Sequence, residues 1–451
     1  MTSSSTAKEL VAWSVSVRGN DLSSAVVEQA RRCLRDSIGC MLAGSNHPLV
    51  RTLYDVVQDD GGGRSTVVAG GQHRAETAAY VNGVAAHVLE LDDGYTQGGG
   101  HPSSPVIPTV LAAAQECDKT GIELLSALAV GLEASSRLLK AGHPMVAGAG
   151  YHNTAIAGTI AAAIASAKVF GLNEHQTLSA MGISLSSAGG TFAFLDGASD
   201  TKALHAGNAA RNGLASARLA MAGVQGGPDP FGGPYGYFAV FGHNPKVPAL
   251  TDRLGIEWAF QDIYFKVYAC CRHLHAPIDL ALELMAKERL TTKQIASIEV
   301  ETYSLAARHC GVSINSPAEA QLSIPYAIAS ALVLGAADLD SFHYDYRRDA
   351  EFCRLMNSVR VIAEPELERQ YPANRPARVS ILCTQGERHT AFATNPKGEP
   401  PYRVSDGELA AKFSRLAGAN DRSDKAKMAQ AEIDRFERSE DLEWLRQALL
   451  T

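Results

Sequence analysis

Between about residue 5 and residue 255, apolar positions recur at three- and four-residue spacing, the period of a helix with one buried face. Val27, Ala30, Leu34, Ile38 and Met41 trace the clearest stripe. Alanine-rich stretches follow at 75–90, 104–117, 122–139 and 154–170, where small side chains let helices approach closely. Gly171 suits a left-handed helix terminus, and Asn173 with Gln176 has capping-box spacing for the next helix. A tight all-helical bundle is predicted. Its most apolar run, Thr154 to Ala167, ends at Lys168, short of the ~20 residues a bilayer requires, and reads as a buried core helix.

The period changes after the Gly- and Pro-dense stretch 223–236, which supports neither helix nor strand and predicts a long ordered loop. Ile298, Val300 and Thr302 alternate with polar positions, as do stretches near 377–384 and 388–394, and these predict strands. Between them Ser316-Pro317 sets a cap and a first-turn proline ahead of the apolar run 322–335, and 346–357 is a second helical stretch. NPKGEPPY at 395–402 is a connector, after which Ser405 and Glu408 have capping-box spacing. The expected fold is mainly α. A large helical domain over 1–255 is completed by C-terminal helices at 403–451, and a smaller α+β lid domain covers 256–402.

Composition narrows the class. A chain of 451 residues exceeds the about 250–300 that one hydrophobic core sustains, so two domains are expected. With 46% apolar and 20% charged residues the balance is that of a compact soluble protein. A net charge of -7 without any basic run argues against a nucleic-acid partner, and an acidic substrate then requires a local cationic pocket. The start MTSSSTAKEL lacks the basic and apolar regions of a secretory signal. No membrane partner is expected. Eight cysteines without CxxC spacing fit a reduced, cytoplasmic protein better than a disulfide framework or a zinc knuckle.

Familiar catalytic patterns fail. Ser199 to Lys202 fits S-x-x-K and Lys119 to Gly121 fits K-T-G, but their order is reversed from that of a serine acyl-enzyme. Hydrolase-elbow, zincin, Walker and Rossmann patterns are absent. Glu90, Asp92, Asp93 and His101 offer a metal set, yet carboxylates at such spacing do not share a helical face, and no metal is expected. What remains is a set of polar groups in apolar, small-residue surroundings: ELDDGY at 90–95, GGGHPSS at 98–104, GYHNT at 150–154, TKALHAGNAARNG at 201–213, KVYACCRHLH at 266–275 and SIPYAIA at 323–329. Each alone reads as a satisfied core histidine, a snorkelling lysine or a wet acidic face. Together they supply cations, imidazoles and a phenol, the means to move protons on an anionic substrate.

In this order the segments resemble the MmgE/PrpD family, with the likeness running from about residue 8 to 415. The family includes 2-methylcitrate dehydratase, cis-aconitate decarboxylase and iminodisuccinate epimerase. The resemblance implies a homodimer, no cofactor, a small di- or tricarboxylate substrate, and a pocket between a helical domain and an α+β lid. Carried over by position, catalytic roles fall on His101, His152, Lys202, Lys266 and Tyr326. Glu90, Asp92, Asp93, Cys271, Arg272 and His275 are the expected substrate-binding residues. Two positions depart from the decarboxylases: Glu90 stands where they open the acidic motif with Asp, and Cys271 where they have His, with His275 four residues further on. These departures, with a HPSSPVIP segment at 101–108 unlike that expected in methylcitrate dehydratases, put an iminodisuccinate-type epimerase ahead of a 2-methylcitrate-type dehydratase or cis-aconitate-type decarboxylase. A catalytically silent carboxylate-binding protein is the alternative from another class.

Overall fold

The computed structural model describes residues 3–68, 70–196, 199–342, 344–418 and 423–450. The fold is mainly α, and the chain divides into two compact units. The larger comprises Met1–Val88, Asp92–Phe265 and Ser405–Thr451; the smaller comprises Leu89–Leu91 and Lys266–Val404.

In the larger unit, Asn153–Phe170 is the central helix, packed on Ser103–Glu116, Gly121–Gly142, Glu174–Leu185 and Thr201–Met221. It is long and apolar enough to cross a membrane by length and composition, but 89% of it is buried inside the unit. Small residues make the packing possible: a Cβ added at Gly213 would come within 2.4 Å of the Cβ of Ala162. The helix ends where the sequence predicts, with Gly171 left-handed at φ 68°, and Asn173 and Gln176 form the reciprocal capping box of the next helix. The C-terminal segment packs back on the Ser24–Gly44 helix. There Lys412 Nζ meets Asp36 Oδ1 at 2.5 Å, both nearly buried, and Arg35 pairs with Asp434. Charges along this tail thus serve as its attachment.

The smaller unit is built on a four-stranded sheet in the order 359–363, 295–302, 377–383, 388–393. The first pair is parallel and the others antiparallel. Ile298, Val300 and Thr302 face inward as their alternation requires, beside Val379 and Ile381 of the neighbouring strand. The His275–Lys287 helix packs against the two C-terminal strands. Two details differ from expectation. Ser316 caps only the short turn Pro317–Ala320, because Ser323 starts a second helix, Ile324–Leu334, by accepting from the Tyr326 N–H at 3.1 Å. The strand Val359–Ala363 was not anticipated, since it follows the Ala350–Ser358 helix with no turn residue to mark the change.

Candidate active site

The first part of the site lies wholly in the larger unit, where the Ala75–His87 helix runs toward the acidic motif. Asp92 and Asp93 are buried, so the bland reading of a solvated acidic face does not hold. Asp92 Oδ2 accepts from His87 Nδ1 at 2.8 Å and from the Ser104 hydroxyl at 2.6 Å, with His101 Nδ1 at 3.3 Å. Burial alone raises a carboxyl's pKa, but the His101 and His87 imidazoles outweigh it and hold Asp92 well below the usual carboxylate range. Asp93 goes the other way: burial and then the Asp36 carboxylate push it up, against the hydrogen bonds from Ser103. One carboxyl is therefore kept charged and its neighbour is biased toward the acid.

His101 is delivered by the glycine run before it. A Cβ at Gly98 would meet the Cβ of Leu139 at 2.5 Å, and Gly99 has φ 57°, so the turn hugs the Gly121–Gly142 helix only because side chains are missing. His101 Nδ1 lies 2.7 Å from the Asp93 carbonyl oxygen, which only accepts, so Nδ1 carries the hydrogen. In the neutral ring Nε2 is then the basic nitrogen. The same reasoning applies to His87, whose Nδ1 donates to Asp92. Its Nε2 is buried and has no hydrogen-bond partner among the described residues.

His152 is the N-cap residue of Asn153–Phe170. Its ring is buried, stacks on His87 at 6.0 Å between centroids, and shares an Nδ1–Nδ1 hydrogen bond of 3.1 Å with His205. One ring must donate and the other accept, so one proton lies between the two Nδ1 atoms. Burial, then the charges of His87 and Lys202, pulls His152 well below the ordinary imidazole value. Burial and the same two neighbours lower His205 to about 4. Both rings are neutral at pH 7. Phe192 and Phe194 edge onto this pair with centroids 5.6 to 5.8 Å away and keep the surroundings apolar. Lys202 sits in the first turn of the 21-residue Thr201–Met221 helix, where its charge adds to the positive end of the helix dipole.

Expected residues in the smaller unit are held differently. Glu90 has the left-handed φ of 55°, a strained value for a residue with a Cβ. This turn brings its carbonyl to 2.8 Å from Lys266 Nζ, with its own carboxylate at 3.6 Å from the same nitrogen. Lys266 is only 1% exposed. Arg272 was expected to supply a cation, but its guanidinium is engaged by Glu399 at 3.0 Å and by the Lys397 carbonyl at 2.9 Å. His275 is buried between Arg272 Nη1 at 3.0 Å and the Cys270 carbonyl at 3.3 Å. Tyr326 is fully buried, with Phe352 edge-on at 4.9 Å and Phe342 stacked at 6.0 Å, and burial pushes its phenol up. Cys271 is half-buried beside His273 and His309.

Of the residues weighed as a metal set, Asp93 is hydrogen-bonded by Ser103. The donors that do converge in the larger unit are His87, Asp92 and His101. Sequence reasoning missed His87 and His205 as site residues. A lone imidazole closing the alanine-rich run just ahead of ELDD was the available signal for His87; His205 lay inside a segment already singled out.

Comparison with known proteins agrees with these segments. Residues 8–249 match the MmgE/PrpD N-terminal domain, and residues 268–438 match the MmgE/PrpD C-terminal domain. A cis-aconitate decarboxylase-like protein, oryM, of Aspergillus oryzae is 29% identical, covering 96% of this chain and 95% of its own length. The cis-aconitate decarboxylase of Aspergillus terreus is 28% identical over 91% of this chain and 89% of its own. For the human cis-aconitate decarboxylase the identity is 28%, with 87% and 83% covered.

Proposed function

The chain belongs to the MmgE/PrpD family, and from that premise we propose that it is a cofactor-independent lyase removing a carboxylate from a cis-aconitate-like acid. The observation that carries the acid/base part is the neutral His152–His205 pair beside Lys202, in the same unit as His101 on the Asp92 carboxylate. Lys202 and the helix terminus behind it hold a substrate carboxylate by charge-assisted hydrogen bonds. When the carbon–carbon bond to the departing carboxylate breaks, its electron pair stays on carbon, next to a remaining carboxylate, and CO₂ leaves. A proton then has to reach that carbon. His101 is suited to deliver it, since the ionised Asp92 stabilises its imidazolium and the Asp93 carbonyl fixes the tautomer. His101 regains its proton from solvent, and the neutral His152–His205 pair stays a proton acceptor of the site.

Glu90 and Cys271 favour a second reading, an iminodisuccinate-type epimerase, because both stand where the decarboxylases differ. The same imidazoles then take a proton from the carbon next to a carboxylate and return it to the other face. A single experiment separates the outcomes: the protein is incubated in heavy water with cis-aconitate, a 2-methylcitrate and an iminodisuccinate, and products are followed by NMR. Release of CO₂ from cis-aconitate supports the first reading. Deuterium exchange confined to the imino acid overturns it in favour of the epimerase, and no change with any acid favours a silent binding protein. The homodimer expected from the resemblance belongs to the same proposal, and light scattering tests it.

A further inference from the structure

The smaller unit holds a second group of chemically active side chains, to which no proton transfer was assigned above. Cys271, His273 and His309 each offer one donor atom, and these atoms all lie within 4.8 Å of one another. All three residues are half-buried. Cys271 and His273 flank Arg272 at the short turn Arg272–Leu274, whereas His309 follows the Ser304–Ala307 turn. Distant in sequence, the two stretches are pinned to one place. The Cys271 N–H donates to the Gln321 carbonyl at 3.0 Å, and the His309 carbonyl accepts from the Ile324 N–H at 2.8 Å, so both backbones are tied to the 321–324 turn.

The rings are oriented as well as gathered. His273 and His309 stack with centroids 5.6 Å apart and planes 21° apart. His273 Nδ1 is hydrogen-bonded to the Tyr303 hydroxyl, and Tyr303 is itself held by stacking on Tyr371 at 4.7 Å. An outer hydrogen bond of that kind fixes which imidazole nitrogen is presented and is the usual support of a metal-bound histidine. The nearby Arg272 is paired with Glu399, so its charge is compensated where a cation would enter. One sulfur and two imidazoles form a borderline-soft donor set, suited to zinc and cobalt and unsuited to magnesium or calcium.

We propose that Cys271, His273 and His309 form a binding site for a zinc-class divalent cation in the smaller unit, with three protein donors and a fourth position left to water. Binding releases the thiol proton, so affinity rises with pH until the thiolate is formed. The metal staples the 271–273 stretch to the 309 stretch and stabilises the folded unit by mass action. The test of the site reads metal binding and not turnover, so it is decided apart from the reaction proposed above.

Cobalt(II) and zinc titrations of the full-length chain, stripped of metal and kept reduced, test it. Cobalt should give the near-ultraviolet band of a thiolate ligand with tetrahedral visible bands, saturating at a single equivalent, and zinc should displace it. In Cys271→Ser the thiolate band should vanish and zinc affinity fall at least about tenfold, and His309→Gln should weaken binding similarly. Tyr303→Phe keeps the ring stack but loses the outer hydrogen bond, and should cost zinc affinity about tenfold. Zinc should raise the melting temperature of the wild type and of Cys383→Ser, but not of His309→Gln, which provides a readout if Cys271→Ser folds poorly. A thiolate band that survives in Cys271→Ser, or cobalt bound without any thiolate band, overturns the proposal in favour of the donors at Cys383 or at His87, Asp92 and His101. Absence of stoichiometric binding to the wild type overturns it outright.

Discussion

The residues expected at the site are held by different partners in the larger and in the smaller unit. In the larger unit imidazole meets imidazole: His152 and His205 share one hydrogen bond, and His87 keeps a buried nitrogen without a partner among the described residues. In the smaller unit the cations meet acids and carbonyls, Lys266 on Glu90 and Arg272 on Glu399, while Tyr326 lies among phenylalanine rings. A group clamped by a full opposite charge holds its proton firmly. Two neutral rings joined by one hydrogen bond leave the donor ring's Nε2 as a basic nitrogen. The difference predicts that substitutions at His152 and Lys202 cost mainly rate and those at Arg272 mainly stability.

The largest effect is expected at His152. His152→Gln retains a hydrogen-bonding side chain but cannot pass a proton, so kcat should fall by about 10²–10⁴ while the melting temperature moves little. Activity lost only in proportion to folded protein would make the ring structural and break the comparison on the side of the larger unit. Next comes Arg272→Met. It leaves the buried Glu399 carboxylate without its cation, for which removal of one partner of a buried pair costs about 3–5 kcal/mol. Urea unfolding should show a loss of that order. A variant of wild-type stability that had lost its activity would instead return Arg272 to the substrate.

Lys202→Met is a smaller perturbation. Lys202 is half-buried at a helix start, and one charge-assisted contact to a carboxylate contributes about 1.5–3 kcal/mol, so kcat/KM should drop at least about tenfold with the fold intact. Wild-type kinetics would remove it from the site and leave the proposed anion contact to be sought elsewhere.

These expectations trace back unevenly to the sequence. Helices with a stripe, a cap or a left-handed glycine were legible, because each depends on residues within one or two turns; Gly171 and the Asn173–Gln176 box are examples. The strand at 359–363 was not, because its evidence is a parallel partner at 298–302, far away in the chain. The site shows the same divide. His101, His152 and Lys202 stand out as polar residues in small, apolar segments, and the fold does put the two histidines among imidazoles. What a partner does to a residue was illegible. Nothing near Arg272 in sequence announces Glu399, and nothing near His152 announces that His205 will face it. The His152 shift is likewise not announced by its neighbours in sequence, since burial and then the charges of His87 and Lys202 cause it.

The smallest effect concerns pH, and it tests the same contrast without a substrate. His205 is lowered from 6.5 to about 4 in the folded protein, by burial first and then by His87 and Lys202. A lowered imidazole means that the folded chain refuses a proton that the unfolded chain accepts. Between pH 6.5 and about 4 the unfolded state therefore binds more protons, and stability should fall as the pH is lowered through that window. Below it the folded state takes up the proton too and the loss from this group levels off. His152 is lowered too, by burial first, and acts in the same sense. For each such group the slope is at most about 1.4 kcal/mol per pH unit. Buried acids with raised values, Asp93 among them, act in the opposite sense, so the total slope alone decides nothing. The difference between wild type and His205→Gln does decide, because the acids are common to both. Unfolding free energies measured from pH 7 to 4.5 should converge as the pH falls, the variant losing less than the wild type. Parallel curves would mean that His205 is charged like an exposed histidine, and the neutral pair on which the proposed proton path depends would be lost.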